Sequence, residues 1–190
     1  MPRPPILPTL DWATIFQSGL DYGRWIEQGE FPDHRRRMDE DRKGFPVDPP
    51  VAAYLAALPK PVHIVAIAED WCGDVVRHVP VLQAFADRSN GRLAVRYITR
   101  ADRPDVFVRY LTNGGEAIPK FVFLSERFVE CGNWGPMPDS CRELIARGKA
   151  MGDAGAARRK VSTHYEIDGD RRDVCRELLR FIDIASSLRV

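Results

Sequence analysis

Val62-His63-Ile64-Val65-Ala66-Ile67-Ala68, followed at once by Glu69-Asp70-Trp71-Cys72-Gly73-Asp74, is the stretch that decides the fold. A nearly continuous apolar run of this length suits a strand covered on both faces. Residues 73–88 then carry Val75, Val79, Leu82 and Ala86 at helical spacing, with Pro80 inside the helix. An interior proline removes one hydrogen bond and bends a helix. Cys72 is therefore expected where a buried strand turns into a helix. The free N–H groups and partial positive charge of a helix start favour thiolate over thiol. A dithiol motif would place a second cysteine three positions on, and that position is Val75. The chain carries half of a redox pair.

Composition narrows the function classes. The 190 residues include 28 basic and 27 acidic side chains, and the pI is about 7.7. That balance gives no electrostatic case for nucleic acid or an anionic membrane as partner. No apolar run reaches the length that crosses a bilayer. The first eight residues, MPRPPILP, are too proline-rich for a signal peptide and read as an extended arm. These features predict a cytoplasmic protein. The cysteines at 72, 131, 141 and 175 are irregularly spaced, so reduced thiols are expected rather than a disulfide framework or a zinc cluster. Cys131, Cys141 and Cys175 read as small packing residues.

Two regions flank the central run. Residues 1–60 are read as an arm and helical extension packed on the core, and 61–190 as the main domain. Trp12, Ile15, Phe16, Leu20, Gly23 and Ile26 recur at helical spacing, with Thr9 or Asp11 as cap and Gly29 as stop. Trp12, Phe16 and Trp25 are expected to join the extension to the sheet. Residues 33–43 hold Arg35-Arg36-Arg37 among Asp33, Asp39, Glu40 and Asp41, which predicts a solvated, salt-bridged face. A short helix is expected over 51–58, begun by Pro49-Pro50. Strands are expected over 93–97, 121–124 and, more weakly, 128–131. Helices are expected over 105–111, 138–149 and 173–188, with a mobile loop over 152–160. The order strand, helix, strand, helix, strand, strand, helix makes an α/β protein with a central mixed β-sheet flanked by helices.

That order and its punctuation resemble the thioredoxin fold over residues 62–149. Trp71-Cys72-Gly73 matches the start of the family's W-C-G-P-C motif, and Pro80 falls where the family bends its active-site helix. Ile118-Pro119 falls at the family's cis-proline loop, and Gly135 matches the glycine after the last strand. The chain is also similar to a bacterial thioredoxin-like group of poorly defined function. Ala68-Glu-Asp-Trp-Cys-Gly-Asp74, Leu111-Thr-Asn-Gly-Gly115 and Trp134-Gly-Pro-Met-Pro138 carry that likeness, as does the N-terminal helical extension. Three departures bear on chemistry. Val75 replaces the second cysteine, Asp74 the motif proline, and Ala66 the buried aspartate that moves protons in thioredoxin.

The resemblance implies a single active-site cysteine, Cys72, with a substrate groove formed by Trp71, Gly73, Asp74, Ile118, Pro119 and Gly135, and Trp134 at its side. A lone thiolate attacking a disulfide stays as a mixed disulfide until an external thiol releases it. One-cysteine thiol–disulfide exchange follows, with protein thiols or disulfides or low-molecular-weight thiols as partners and no cofactor or metal. Cys131, late on an edge strand, or Cys141 would have to act at a distance to resolve it. The alternative is a non-catalytic peptide-binding module that keeps the groove. Glu69, Asp70 and Asp74 oppose a thiolate, and Arg77 and His78 offset them only by folding back toward Cys72. Asp70, Cys72, Asp74 and His78 form a mixed and sparse metal set, and His63 and His164 read as structural histidines.

Overall fold

The computed structural model describes residues 6–187. The reading of residues 1–5 as part of an arm, and of Leu188 as helical, falls outside them. Four strands, β1 (Val62–Ile67), β2 (Leu93–Ile98), β3 (Lys120–Leu124) and β4 (Glu130–Trp134), form one sheet in the order β2-β1-β3-β4. β2 runs parallel to β1, β3 antiparallel to β1, and β4 antiparallel to β3. Helices flank the sheet, so the α/β class with a central mixed sheet stands. β1 is central, and Val62, Ile64, Val65, Ala66 and Ile67 are all fully buried, which is why its sequence barely alternates.

α5 (Gly73–Arg88) begins and ends where the pattern predicts. Val75, Val79, Leu82 and Phe85 are buried along it, each contributing about 1.5–3 kcal/mol of hydrophobic stabilisation. Pro80 lies inside and is also buried. α4 (Pro49–Ala56) starts on its prolines, as expected.

The single helical stripe expected from Trp12 to Ile26 is two helices. α1 (Trp12–Ser18) is capped by Asp11, and α2 (Tyr22–Gln28) by Asp21. Between them Leu20 leaves the helix to exchange backbone hydrogen bonds of 2.9 and 2.8 Å with Tyr97. This covers the outer edge of β2, where free backbone groups would otherwise meet water. The aromatic residues behave as read. Trp25 stacks on Tyr97 at 4.6 Å, Phe16 packs on His63 and Phe128, and Trp12 on Tyr110. The charged stretch forms α3 (Pro32–Gly44). Arg36 pairs with Asp33 and Lys43 with Asp39, exposed pairs worth about 0–1 kcal/mol each. Its other face buries Met38 completely, and Arg42 reaches Asp87 of α5 at 2.6 Å.

Three further expectations need correction. The hairpin strand lies at Glu130–Trp134 rather than 128–131, because the chain first turns: the Phe128 N–H donates to Ser125 O and φ at Phe128 is +58°. Cys131 is accordingly near the start of the edge strand, not its end. The helix expected over 105–111 is α6 (Pro104–Phe107), running into a 3-10 turn at Val108–Tyr110. The mobile loop expected over 152–160 is helical: α8 (Ala154–Ile167) packs against α7 (Asp139–Ala150). Its small residues are a contact surface. A Cβ on Gly148 would lie 2.3 Å from the Ala157 Cβ, so the two helices meet where neither has bulk. α9 (Arg172–Ser186) closes the chain against the sheet.

Candidate functional site

Cys72 is the N-cap of α5, and its carbonyl accepts the Val76 N–H at 3.0 Å. β1 and the Glu69–Cys72 turn, closed by Cys72 N–H to Glu69 O at 3.2 Å, place it there. Its S–H donates to Ile118 O at 3.4 Å. The Ile118–Pro119 peptide is cis, and Ile118 is almost wholly buried. Gly135, directly after β4, holds this loop from behind. Its φ is +116°, and an added Cβ would sit 2.1 Å from Pro119 O. Lys120, buried beside them, donates to Gly135 O at 2.7 Å and to the Thr112 hydroxyl at 2.8 Å. Cys72, Ile118, Pro119 and Gly135 thus come together, with exposed Gly73 and Trp71 on the solvent side.

The electrostatics favour the neutral thiol. Burial raises the Cys72 pKa; the N–H groups of Val75 and Asp74 lower it, the Asp74 carboxylate raises it, and Arg100 lowers it, with a net upward shift. Arg77 and His78 do not fold back. Arg77 stacks on the Tyr165 ring at 4.3 Å and donates to Tyr165 O and Asp168 O. His78 is fully buried, with Nε2 3.3 Å from the Tyr165 hydroxyl. The Tyr165 hydroxyl donates to Asp74 Oδ1 at 2.9 Å. With that proton committed, His78 Nε2–H is the donor and Nδ1 has no partner among the described residues. Burial, reinforced by Arg77 and Arg171, keeps His78 neutral. Burial also raises the Asp74 pKa, against the lowering effects of Tyr165 and Arg77. Asp74→Asn removes a negative charge beside the sulfur, so the alkylation midpoint of Cys72 is expected to fall. Reaction at neutral pH should be faster accordingly. Rates measured from pH 6 to 10 on both proteins check this; superimposable profiles would show no coupling.

Other residues fall into place around the thiol. Val75 is fully buried beneath it, and Ala66 lies between Tyr97 and Phe121 in the sheet. Trp71 is 45% exposed and donates its indole N–H to Glu69 at 2.7 Å. Trp134, expected at the groove, is instead buried. Its ring stacks on Phe121 at 5.2 Å, and its N–H donates to Glu177 at 2.6 Å. Asp70 is turned to the extension: its carboxylate accepts the Phe31 N–H at 2.8 Å and its carbonyl contacts His34. The set Asp70, Cys72, Asp74 and His78 is therefore not assembled around one point. Among the described residues, His164, Asp168 and Asp173 do lie within 4.8 Å of one another, at the junction of α8 and α9. His164 there approaches Asp173 at 3.3 Å, and His63 stacks on Phe128 at 4.3 Å, so both have structural partners. All four cysteines are free thiols. Burial pushes Cys141 up to about 11 and Cys175 up to about 12, and it raises Cys131.

Sequence reading missed Arg100, Tyr165 and Lys120. Arg100 donates twice over to Glu69 and at 2.8 Å to Glu116, and its guanidinium lies 5.1 Å from the Trp71 ring centre. A signal existed: Ile67 and Ile98 pair in parallel register, so Glu69 and Arg100 each stand two residues past a strand end, where open sheets gather ligands. Tyr165 had no signal, since nothing in residues 152–167 says which way that helix faces.

The sheet order, the cysteine starting a helix beside β1 and the proline loop before β3 define a thioredoxin-fold protein. A family model described as Thioredoxin matches residues 25–152, and the chain belongs to that family. No curated protein matches the chain. Among solved structures, a protein of unknown function from Pseudomonas aeruginosa is similar at 15% identity and TM-score 0.69, over 92% of this chain and 98% of that one. An HIV epitope-scaffold is similar at 17% identity and TM-score 0.59, over 83% of this chain and 98% of that one. Among the described residues no helix is long and apolar enough to cross a membrane.

Proposed function

We propose that this protein is a one-cysteine thiol–disulfide exchange protein acting through Cys72, within the thioredoxin-like group that carries the A-E-D-W-C-G-D motif. The observation that carries this reading is the Cys72 sulfur at the start of α5, 3.4 Å from the carbonyl of the Ile118–Pro119 loop. An extended substrate segment would pair with that loop, whose Ile118 N–H has no partner among the described residues. Cys72 first releases its proton to solvent. The thiolate attacks a disulfide R–S–S–R′, forming Cys72–S–S–R and expelling R′–S⁻. A low-molecular-weight thiolate then attacks the R sulfur and expels the Cys72 thiolate, so one disulfide is consumed for each one formed. On this reading the helical extension braces the site through Trp25, which meets Ala68 and Tyr97, and Phe31, which donates to Asp70, while the main domain carries it. Four free thiols suit a cytoplasmic setting.

Because burial raises the Cys72 pKa, exchange is slow at neutral pH and climbs about tenfold per pH unit below that pKa. The test is mass analysis after incubation with a small symmetric disulfide from pH 7 to 10. A single adduct on Cys72, increasing with pH and absent in Cys72→Ser, is expected; no adduct at any pH, or an adduct on another cysteine, refutes the reading. Catalytic reduction of a protein disulfide with a thioredoxin reductase system is expected to be negligible. Val75→Cys should restore it only in part, because Asp74 and Ala66 remain. The same raised pKa favours a second reading, a peptide-binding module that needs no covalent step. Under it, Cys72→Ser would retain every partner of the parent protein.

A further inference from the structure

Two clefts of different character share Glu116, two residues before Ile118: one extends to Trp71, next to Cys72 in the chain, the other to Ala117 and Pro136, next to Ile118 and Gly135. The larger, about 600 Å³, opens on the Trp71 side. Glu30, Glu69, Asp70, Asp102 and Glu116 line it against a single cation, Arg100. Trp25, Tyr97 and Trp71 supply its aromatic wall. Arg100 is already held by Glu69 and Glu116, so the remaining carboxylates leave the cleft strongly negative. Its guanidinium over Trp71 also shows that this wall accepts a planar cation. The second cleft, about 470 Å³, runs from Thr112–Ala117 to Pro136 and α7. Met137, Ile145, Ala146 and Pro136 line it with apolar surface, together with Lys149 and with Arg142, which pairs with Asp139. Lys149 has no ion-pair partner among the described residues.

A chain crossing the Ile118–Pro119 loop has a negative, aromatic cleft toward Trp71 and an apolar one, with Lys149 as its unpaired cation among the described residues, toward Pro136 and Met137. We propose that the groove selects extended polypeptide segments of defined charge polarity. Such a segment carries Lys or Arg on the Trp71 side of the residue facing Cys72, and an apolar residue followed by Asp or Glu on the Met137 side. The partner is an unfolded or loop segment of another protein. This rests on the exchange reading for its biological purpose, but the docking itself needs no covalent bond. Charge complementarity of this kind steers encounter and rejects wrong partners, and it weakens as salt shortens the range of exposed charges.

The experiment uses the full-length Cys72→Ser protein and nine-residue peptides with a central serine, followed by tryptophan fluorescence and calorimetry. One peptide has a Lys-Lys end and a Leu-Glu end; a second has the same residues in reverse chain order; a third has both ends acidic. One of the two bipolar orders is expected to bind at least tenfold more tightly than the all-acidic peptide, and to weaken as salt rises from 50 to 500 mM. Glu30→Lys/Asp102→Lys, two exposed positions, should reverse the preference at that end, and Ile145→Glu should weaken the Leu-Glu end alone. Circular dichroism confirms that the variants are folded. Equal binding of all three peptides, or binding of none, overturns the inference. Polarity-selective binding by Cys72→Ser, with no adduct forming on the parent protein, would uphold it while refuting exchange.

Discussion

Gly135→Ala should cost this protein at least about 3 kcal/mol of stability and disturb the thiol without touching it. At φ +116° an L residue is strained wherever it sits. Here the new Cβ would also lie 2.1 Å from Pro119 O and 3.1 Å from Pro119 C. Those are backbone atoms of the loop that faces Cys72, so no side chain can rotate aside and the loop itself must move. For a chain of this length, a 3 kcal/mol loss lowers the melting temperature by roughly 6–12 °C. Ile118 O then leaves its place 3.4 Å from the Cys72 sulfur, and the pH profile of Cys72 alkylation should change at temperatures where the variant is still folded. A variant within 1 kcal/mol of the parent, with an unchanged profile, would contradict this account of the loop.

Lys120 should impose a pH dependence of opposite sign to the usual stabilising lysine. Burial, with Arg142 nearby, lowers its pKa from 10.5 to about 8, and it is only 4% exposed. Below pH 8 both folded and unfolded chains hold the proton, and the folded state bears the full cost of a buried ammonium. Between pH 8 and 10.5 the folded protein has lost that proton while the unfolded chain keeps it. The unfolded state binds more protons there, so stability rises with pH in that window. The shift amounts to about 3 kcal/mol. Other groups titrate in the same range, notably Cys141 with its pKa pushed up to about 11, and they work the other way. The clean measurement is therefore the stability of the parent minus that of Lys120→Met, from denaturant unfolding at pH 7, 8, 9 and 10. The difference should move by about 2.5 kcal/mol in favour of the parent between pH 7 and 10; a flat difference would mean that Lys120 is better solvated than its surroundings imply.

Much of the site was readable in order along the chain. The apolar run of β1, the cap position of Cys72 and the extent of α5 follow from local patterns, and the landmarks at Ile118-Pro119 and Gly135 from the resemblance to the thioredoxin fold. So does the lack of a second thiol at Val75. Errors cluster where a distant element decided the outcome. The stripe from Trp12 to Ile26 continues through Leu20, yet Leu20 is drawn out of the helix by two hydrogen bonds to Tyr97. Residues 152–160 look like a loop because small and basic residues favour one, and they become helix because Gly148 and Ala157 let α8 lie close on α7. Trp134 looked like a groove residue, but Phe121 and Glu177 hold it inside.

The sequence by itself determined that a single thiol would stand at the head of a helix, since spacing and periodicity are properties of neighbours along the chain; the proline loop beside it was implied by the resemblance to the thioredoxin fold. Whether that thiol keeps its proton was decided only by the tertiary structure. Its charge depends on solvent exclusion, on the Ile118 carbonyl 46 residues away, and on Tyr165 arriving from α8 to hold Asp74 and draw Arg77 aside. Solvation and through-space charge have no period to read in a sequence, because the groups that set them meet only when the chain has folded.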